Sequence, residues 1–293
     1  MTQDEVFIGI TSWNSERFLP TCLEAIQRTT QGVRLTVGVV DNESEDRSAS
    51  IAKKFGAQVV VQQCSQQDAI NQLIRLSRAE TTLLIHSDVV LLDPHWLSRC
   101  RAQLVDGIAL VSPEDIGCGP MTRPFGIGKP ESSFLFFDTS RLRRCRRLRW
   151  HWPRPRRELD LSSDHLTHGL PALLAAHNFS WKAMRVYASN PSPNPLYHYN
   201  TRPPIWSDEL AYLRYGLGNF YAIDNAITHY HNWYDRAIST PSPGGGSAFI
   251  QKQKREFPSD FIDQYSQRFL EDYAAGALDL PNDLLIQRTP RAL

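Results

Sequence analysis

Short polar and acidic side chains collect at three places where an apolar run ends: TSWNSERFL after Ile10, VVDNESED from Val39 and LLIHSDVVLLDP from Leu83. A carboxylate at such a terminus, as Asp41 is, can accept hydrogen bonds from a nucleobase or ribose, and Asn42 and Ser44 beside it suit a tight turn. The same cluster also reads as an Asx-rich turn capping the next helix. Far downstream, THYHNW sets His229 and His231 two residues apart, hence on one side of an extended segment. Arg236 follows them, and a guanidinium there suits a bidentate phosphate contact. Charge supplies the remaining signal: nine arginines fall between Arg141 and Arg157, interleaved with Trp150 and Trp152. That run suits an anionic partner, whether a phosphorylated lipid carrier, an acidic glycan or nucleic acid, and it equally suits a solvated, mobile basic loop.

Composition narrows the scaffold that must carry these groups. With 293 residues, 41% hydrophobic and 22% charged, the chain is neither disordered nor fibrous, and it is long enough to line a cleft. A net charge of +1 implies no partner by bulk electrostatics. Cys22, Cys64, Cys100, Cys118 and Cys145 are odd in number, scattered and free of any CxxC pair, which speaks against a disulfide framework or a thiolate zinc site. No apolar run approaches the roughly 18 residues of a bilayer span, and MTQDEVFIGI does not read as a signal peptide. A cytoplasmic location is expected, with room for a peripheral membrane contact.

Up to residue 112, β-branched runs alternate with amphipathic segments, the pattern of βαβ units and a largely parallel sheet. Strands are expected over 6–10, 34–40, 58–61, 82–85 and 108–111, and helices over 16–29, 46–55, 67–78 and 95–104. Ligands of such sheets bind beyond the carboxyl ends of the strands, so chemistry is expected just after Ile10, Val40 and Ile85. Beyond Pro113 come a strand-like SSFLFF, the arginine run, a helix over 163–177, a helical pattern over 207–215 and a strand pattern through GNFYAIDNAITHYHNW. TPSPGGGS at 240–247 reads as linker, and the rest as a polar helical tail, packed on the body or reaching a partner. The expected division is 1–112 and 113–238 as two halves of one domain, and 239–293 for linker and tail.

Taken in order, the clusters resemble the family 2 glycosyltransferases of the GT-A fold. That family opens with a P-T-Y-N-like turn, matched by Thr11, Ser12, Trp13 and Asn14, and closes its second strand on D-N-x-S-x-D, matched by Asp41, Asn42, Ser44 and Asp46. Its helix asparagine is matched by Asn71, and its D-x-D by His86, Ser87 and Asp88, with His86 15 residues after Asn71. The likeness is close over roughly the first 110 residues and weak beyond them. It implies an α/β, Rossmann-like, mixed and mostly parallel sheet flanked by helices, with a C-terminal helical tail. It also implies a nucleotide-sugar held by Ser12, Trp13, Asn14, Asp41, Asn42, Ser44, Asn71 and Ser87, with Arg236 on phosphate. A divalent Mn²⁺ or Mg²⁺ is then ligated by Asp88 and a late histidine, His229 by slight preference or His231, with His198 competing. His86 replaces the first acid of the motif; it is free to contact ribose or water, and the change leaves open a weaker metal dependence or a loss of activity.

The same resemblance implies inverting sugar transfer, for which a carboxylate must deprotonate the acceptor hydroxyl. Asp164 fits the family's acceptor-side aspartate, although Ser162, Ser163 and Asp164 also read as a helix cap. Asp208 and Glu209 are the rival pair. The donor is expected to be a UDP-sugar and the acceptor a glycan, a lipid-linked group or another hydroxyl, anionic if the arginine run receives it. A homo-oligomer is compatible with this reading, and nucleic acid is not expected as a partner. Two other classes compete. Nucleotidyl transfer usually needs a Gly-rich loop after the first strand, which TSWNSERFL lacks. A noncatalytic sugar-nucleotide or polyanion-binding module is motivated by His86 and the arginines.

Overall fold

Alternating β-branched and amphipathic segments do fold as strands packed between helices. The computed structural model describes residues 5–115, 129–146, 167, 169–188, 215, 218–232 and 259–280. The first half runs β1 (Glu5–Ser12), α1 (Leu19–Thr29), β2 (Arg34–Asp41), α2 (Ser48–Lys54), β3 (Gln58–Val61), α3 (Gln66–Leu76), β4 (Thr81–His86), β5 (Val89–Leu91) and α4 (Trp96–Ala102). There follow β6 (Ile108–Asp115), β7 (Lys129–Pro130), β8 (Phe134–Asp138), α5 (Thr139–Arg146), α6 (Leu170–Ala175), β9 (Ser180–Ala188), β10 (Gly218–Ile223), β11 (Ala226–Asn232) and α7 (Ser259–Ala274).

Among the described residues these strands join one sheet, ordered β3-β2-β1-β4-β8-β6-β9-β10-β11-β5, with β7 beside β6. Strands β3, β2, β1 and β4 are mutually parallel, β8 runs against both β4 and β6, and β9 is parallel to β6. From β3 to β9 only β8 is reversed, so the expected mixed, mostly parallel α/β sheet is the observed one. The register pairs Ser12 with Asp41 and Thr11 with His86, bringing the carboxyl ends of β1, β2 and β4 to one edge.

Both faces of the central strands are covered, which is why β1, β4 and β8 carry near-continuous buried runs rather than alternating ones. One face packs on α1, α4 and α7 through residues such as Leu23, Ile26, Trp96 and Phe269, and the other on α3, α5 and α6 through Leu73, Leu142 and Leu174. Each such side chain contributes about 1.5–3 kcal/mol on burial. A β-carbon at Gly9 would lie 2.8 Å from Leu84 Cδ2 and 3.0 Å from Leu73 Cβ, so close seating of α3 requires glycine there. The tail helix α7 is docked on the body: Phe269 stacks on Tyr230 of β11 with ring centroids 3.9 Å apart.

Three expectations change. The start of the arginine run is the helix α5, placed at the amino end of β4 by the Thr139 N–H bond to Glu80 O, not at the ligand-binding edge. Two of its arginines are spent on backbone carbonyls: Arg141 donates to Leu104 O and Ile108 O, and Arg143 to Ser77 O. Of the span 163–177 expected as helix, the described residues are 167 and 169–177, and only Leu170–Ala175 among them is helical; β5 and β9 are strands that the sequence pattern did not mark. Trp150, Trp152 and the rest of the run after Arg146 lie outside the described residues, as do His198, the 207–214 pattern and the 240–247 linker. No helix among the described residues is long and apolar enough to cross a membrane.

Candidate active site

At the shared edge the turns after β1 and β2 are tied to each other. Asp41 accepts from Ser44 N at 2.8 Å and Ser44 Oγ at 2.7 Å. Asn14 N donates to Ser44 Oγ at 2.8 Å, and Asn14 Oδ1 accepts from Glu45 N at 2.8 Å. Asn14 and Glu43 both take positive φ, 46° and 50°, a conformation asparagine adopts readily and glutamate does not. Asn42 Oδ1 receives Cys64 N at 2.7 Å, which ties in the segment before α3. Ser87 Oγ donates to Ser15 Oγ at 2.7 Å, fastening the turn after β4 to the same frame.

Asp41 has no exposed surface. It shapes the loop from beneath, and the expected contact of its carboxylate with a base or ribose meets a group already enclosed by Ser44. Ser12 and Ser87 are likewise buried, and Ser12 Oγ has no hydrogen-bond partner among the described residues. Trp13, Asn14, Asn42, Ser44 and Asn71 keep part or more of their surface exposed, and lie on the turns and on α3. These are the side chains that the edge leaves accessible, with Asp41 supporting their turns from beneath.

The turn after β4 leads straight into β5, and β11 pairs with β5 in the register His231 to Val89. That pairing carries the late histidine to the early acid: His231 Nε2 lies 3.5 Å from Asp88 Oδ1, and Asn232 N donates to Asp88 O at 3.0 Å. The His86 ring sits edge-on to His231 with centroids 5.5 Å apart, and its Nε2 meets Gln66 Nε2 at 2.6 Å. His86, Asp88 and His231 each offer one ligand atom, all within 4.8 Å of one another. A carboxylate and two imidazoles at that spacing fit a divalent transition ion.

His231 is also held from its other nitrogen, where Nδ1 lies 3.0 Å from Glu131 Oε1. Glu131 follows β7 and accepts from Tyr221 OH at 2.6 Å and Ser133 Oγ at 2.7 Å. Burial works against the charged imidazole, yet Asp88 and Glu131 together raise His231 to about 9. Burial likewise opposes the Glu131 anion, and the hydrogen bonds and charge around it hold the carboxyl far below the usual range. Glu131 was not among the residues singled out by sequence; KPESSFLFF shows only an acid before a strand, 100 residues from its partner.

His229, the slightly preferred late histidine, is placed elsewhere. Its ring is stacked between Phe134 and Tyr221 at centroid distances of 4.3 and 4.8 Å, and Nδ1 lies 3.1 Å from Thr228 Oγ1. Burial first, then the charge of His231, push it down to about 3, against a weaker opposing pull from Glu131. The structure thus brings His231, not His229, to Asp88. Asp164, Asp208, Glu209 and Arg236 lie outside the described residues.

The family model described as Glycosyl transferase family 2 matches residues 7–162. No curated protein matches the chain. Among solved structures, the chain is similar to the mannosyltransferase PcManGT from Pyrobaculum calidifontis in complex with GDP-Man and Mn²⁺, at 16% identity over 61% of this chain and 54% of that one, with a TM-score of 0.45. It is also similar to glucosyl-3-phosphoglycerate synthase from Mycobacterium tuberculosis in complex with Mn²⁺, uridine-diphosphate and phosphoglyceric acid, at 17% identity over 48% and 57%, with a TM-score of 0.40. The chain spans little more than half the length of either.

Proposed function

The chain belongs to glycosyl transferase family 2, and from that premise we propose that it moves a sugar from a nucleotide-diphosphate sugar, a UDP-sugar by preference, to an acceptor hydroxyl with inversion. The observation that carries this reading is the convergence of His86, Asp88 and His231 at the edge where β1, β2 and β4 end. A divalent cation held by those three residues would neutralise the diphosphate leaving group as Lewis-acid assistance. Two imidazoles in the set favour Mn²⁺ over the oxygen-seeking Mg²⁺.

The chain's own groups do the rest. Trp13, Asn14, Asn42, Ser44 and Asn71 line the donor rim, and Arg236 pairs with phosphate. Asp164 removes the acceptor proton as attack proceeds from the opposite face, with Asp208 or Glu209 as the alternative base. The acceptor is a glycan, a lipid-linked group or another hydroxyl, and the location is cytoplasmic. Incubating the full chain with Mn²⁺ and a panel of nucleotide-sugars tests this. Slow Mn²⁺-dependent donor hydrolysis supports transfer. Binding without turnover makes the chain a noncatalytic module, and pyrophosphate release from a nucleoside triphosphate and a sugar phosphate makes it a nucleotidyltransferase.

A further inference from the structure

We propose that Glu131 is the positioning residue of the cation site: it grips His231 by Nδ1 so that Nε2 is the nitrogen presented to Asp88 and His86. This rests on the reading that His86, Asp88 and His231 hold a divalent cation. An imidazole ligand has one lone pair to give, and the group that accepts from its other nitrogen decides which one. Here the two nitrogens have separate partners, Glu131 Oε1 at 3.0 Å from Nδ1 and Asp88 Oδ1 at 3.5 Å from Nε2.

Glu131 is itself fixed from several sides. Tyr221 OH of β10 donates to Oε2, Ser133 Oγ donates to Oε1, and Glu131 N donates to Pro113 O of β6 at 2.8 Å. Its carbonyl accepts from Ser112 Oγ at 3.1 Å. A residue whose backbone is tied to β6 and whose carboxylate is held by Tyr221 of β10 and by Ser133 just before β8 leaves the ring it meets little freedom to rotate. His229, two residues earlier on the same strand, shows the contrast: its Nδ1 faces the Thr228 hydroxyl and its ring is packed between two aromatic rings.

The test uses the full chain and Mn²⁺ alone, followed by the electron paramagnetic resonance of free aquo-Mn²⁺. A second sample loaded with Co²⁺ is read by proton NMR for the exchangeable, paramagnetically shifted N–H of a ligating histidine. Wild type is expected to bind saturably and to show that resonance. Glu131→Ala should raise the Kd about 10–100-fold and lose the resonance to exchange. Glu131→Gln, which keeps a carbonyl acceptor, should recover part of both, and Tyr221→Phe should weaken binding less than Glu131→Ala does. If Glu131→Ala fails to fold, Glu131→Gln and Tyr221→Phe carry the test. A folded Glu131 variant with wild-type affinity and an unchanged resonance overturns the assignment alone. No saturable Mn²⁺ binding by wild type overturns the cation reading and the assignment with it.

Discussion

Two histidines of one strand, equivalent by spacing, are separated by what packs around them. His231 meets two carboxylates while His229 meets two rings, so their substitutions should diverge. His231→Phe is expected to abolish Mn²⁺ binding, whereas His229→Phe, an aromatic replacement in an aromatic slot, should keep the Kd within about threefold and cost less than about 1.5 kcal/mol of stability. Mn²⁺ titration and urea unfolding of the two variants check this; loss of affinity in both would reject the division. Asp88→Ala should remove metal-dependent donor binding, and Asp164→Asn should spare binding while removing transfer, both readable by titration with UDP and by product assay. The identity of Asp88 was legible because its neighbours Ile85 to Leu91 form a recognisable strand-end motif. The choice of His231 was not legible, because period-two spacing gives a shared face without saying which residue reaches the pocket. Glu131 was invisible for a related reason: its partners, Tyr221 and His231, come from a hairpin whose place in the sheet is a tertiary fact.

At the scale of elements, close packing rather than propensity makes the sharper predictions. Gly9 lies in the interior of β1, where glycine ordinarily weakens a strand, yet Leu84 and Leu73 leave no room for a methyl group. Gly9→Ala is expected to cost about 1–3 kcal/mol by overpacking, seen as a lower urea midpoint at unchanged slope. The β1 to β4 half was readable because each strand is a short β-branched run followed by an amphipathic helix. Of the arginine run only the first turns lie among the described residues, and there charge density alone does not show the carbonyls that two of the arginines serve. Arg141 and Arg143 reach carbonyl groups just after α4 and α3, Arg143 sharing Ser77 O with Arg78, where a cation also meets the helix dipole favourably. Arg143→Ala should therefore lower stability by about 0.5–1.5 kcal/mol and leave the acceptor KM unchanged; a raised KM at full stability would return the residue to the acceptor.

Across the whole molecule, the tail helix and the cation site share one strand. Phe269 of α7 is fully buried and stacks on Tyr230, whose neighbour in sequence is His231, and Ser266 of the same helix accepts from Asn232 Nδ2 at 3.2 Å. Tyr215 completes the clamp, accepting from Tyr230 OH at its carbonyl and donating from its own hydroxyl to Asp272 at 2.9 Å. From sequence the tail reads either as packed on the body or as reaching for a partner; the choice turns on Tyr230 being available as a docking surface, which only the β10–β11 hairpin provides. β11 is held at its edges by β10 and the three-residue β5, and α7 supports the strand that carries His231 from one face. Phe269→Ala should thus cost about 3–5 kcal/mol through the cavity it leaves. It should also weaken Mn²⁺ binding several-fold in protein that is still folded, since a strand free to shift delivers His231 less often at the distance Asp88 requires. Phe269→Leu, which refills most of the volume, should restore both. Urea unfolding paired with Mn²⁺ titration on the same samples separates the two effects. Stability falling while the Kd stays fixed would mean that β5 and Glu131 alone fix the histidine.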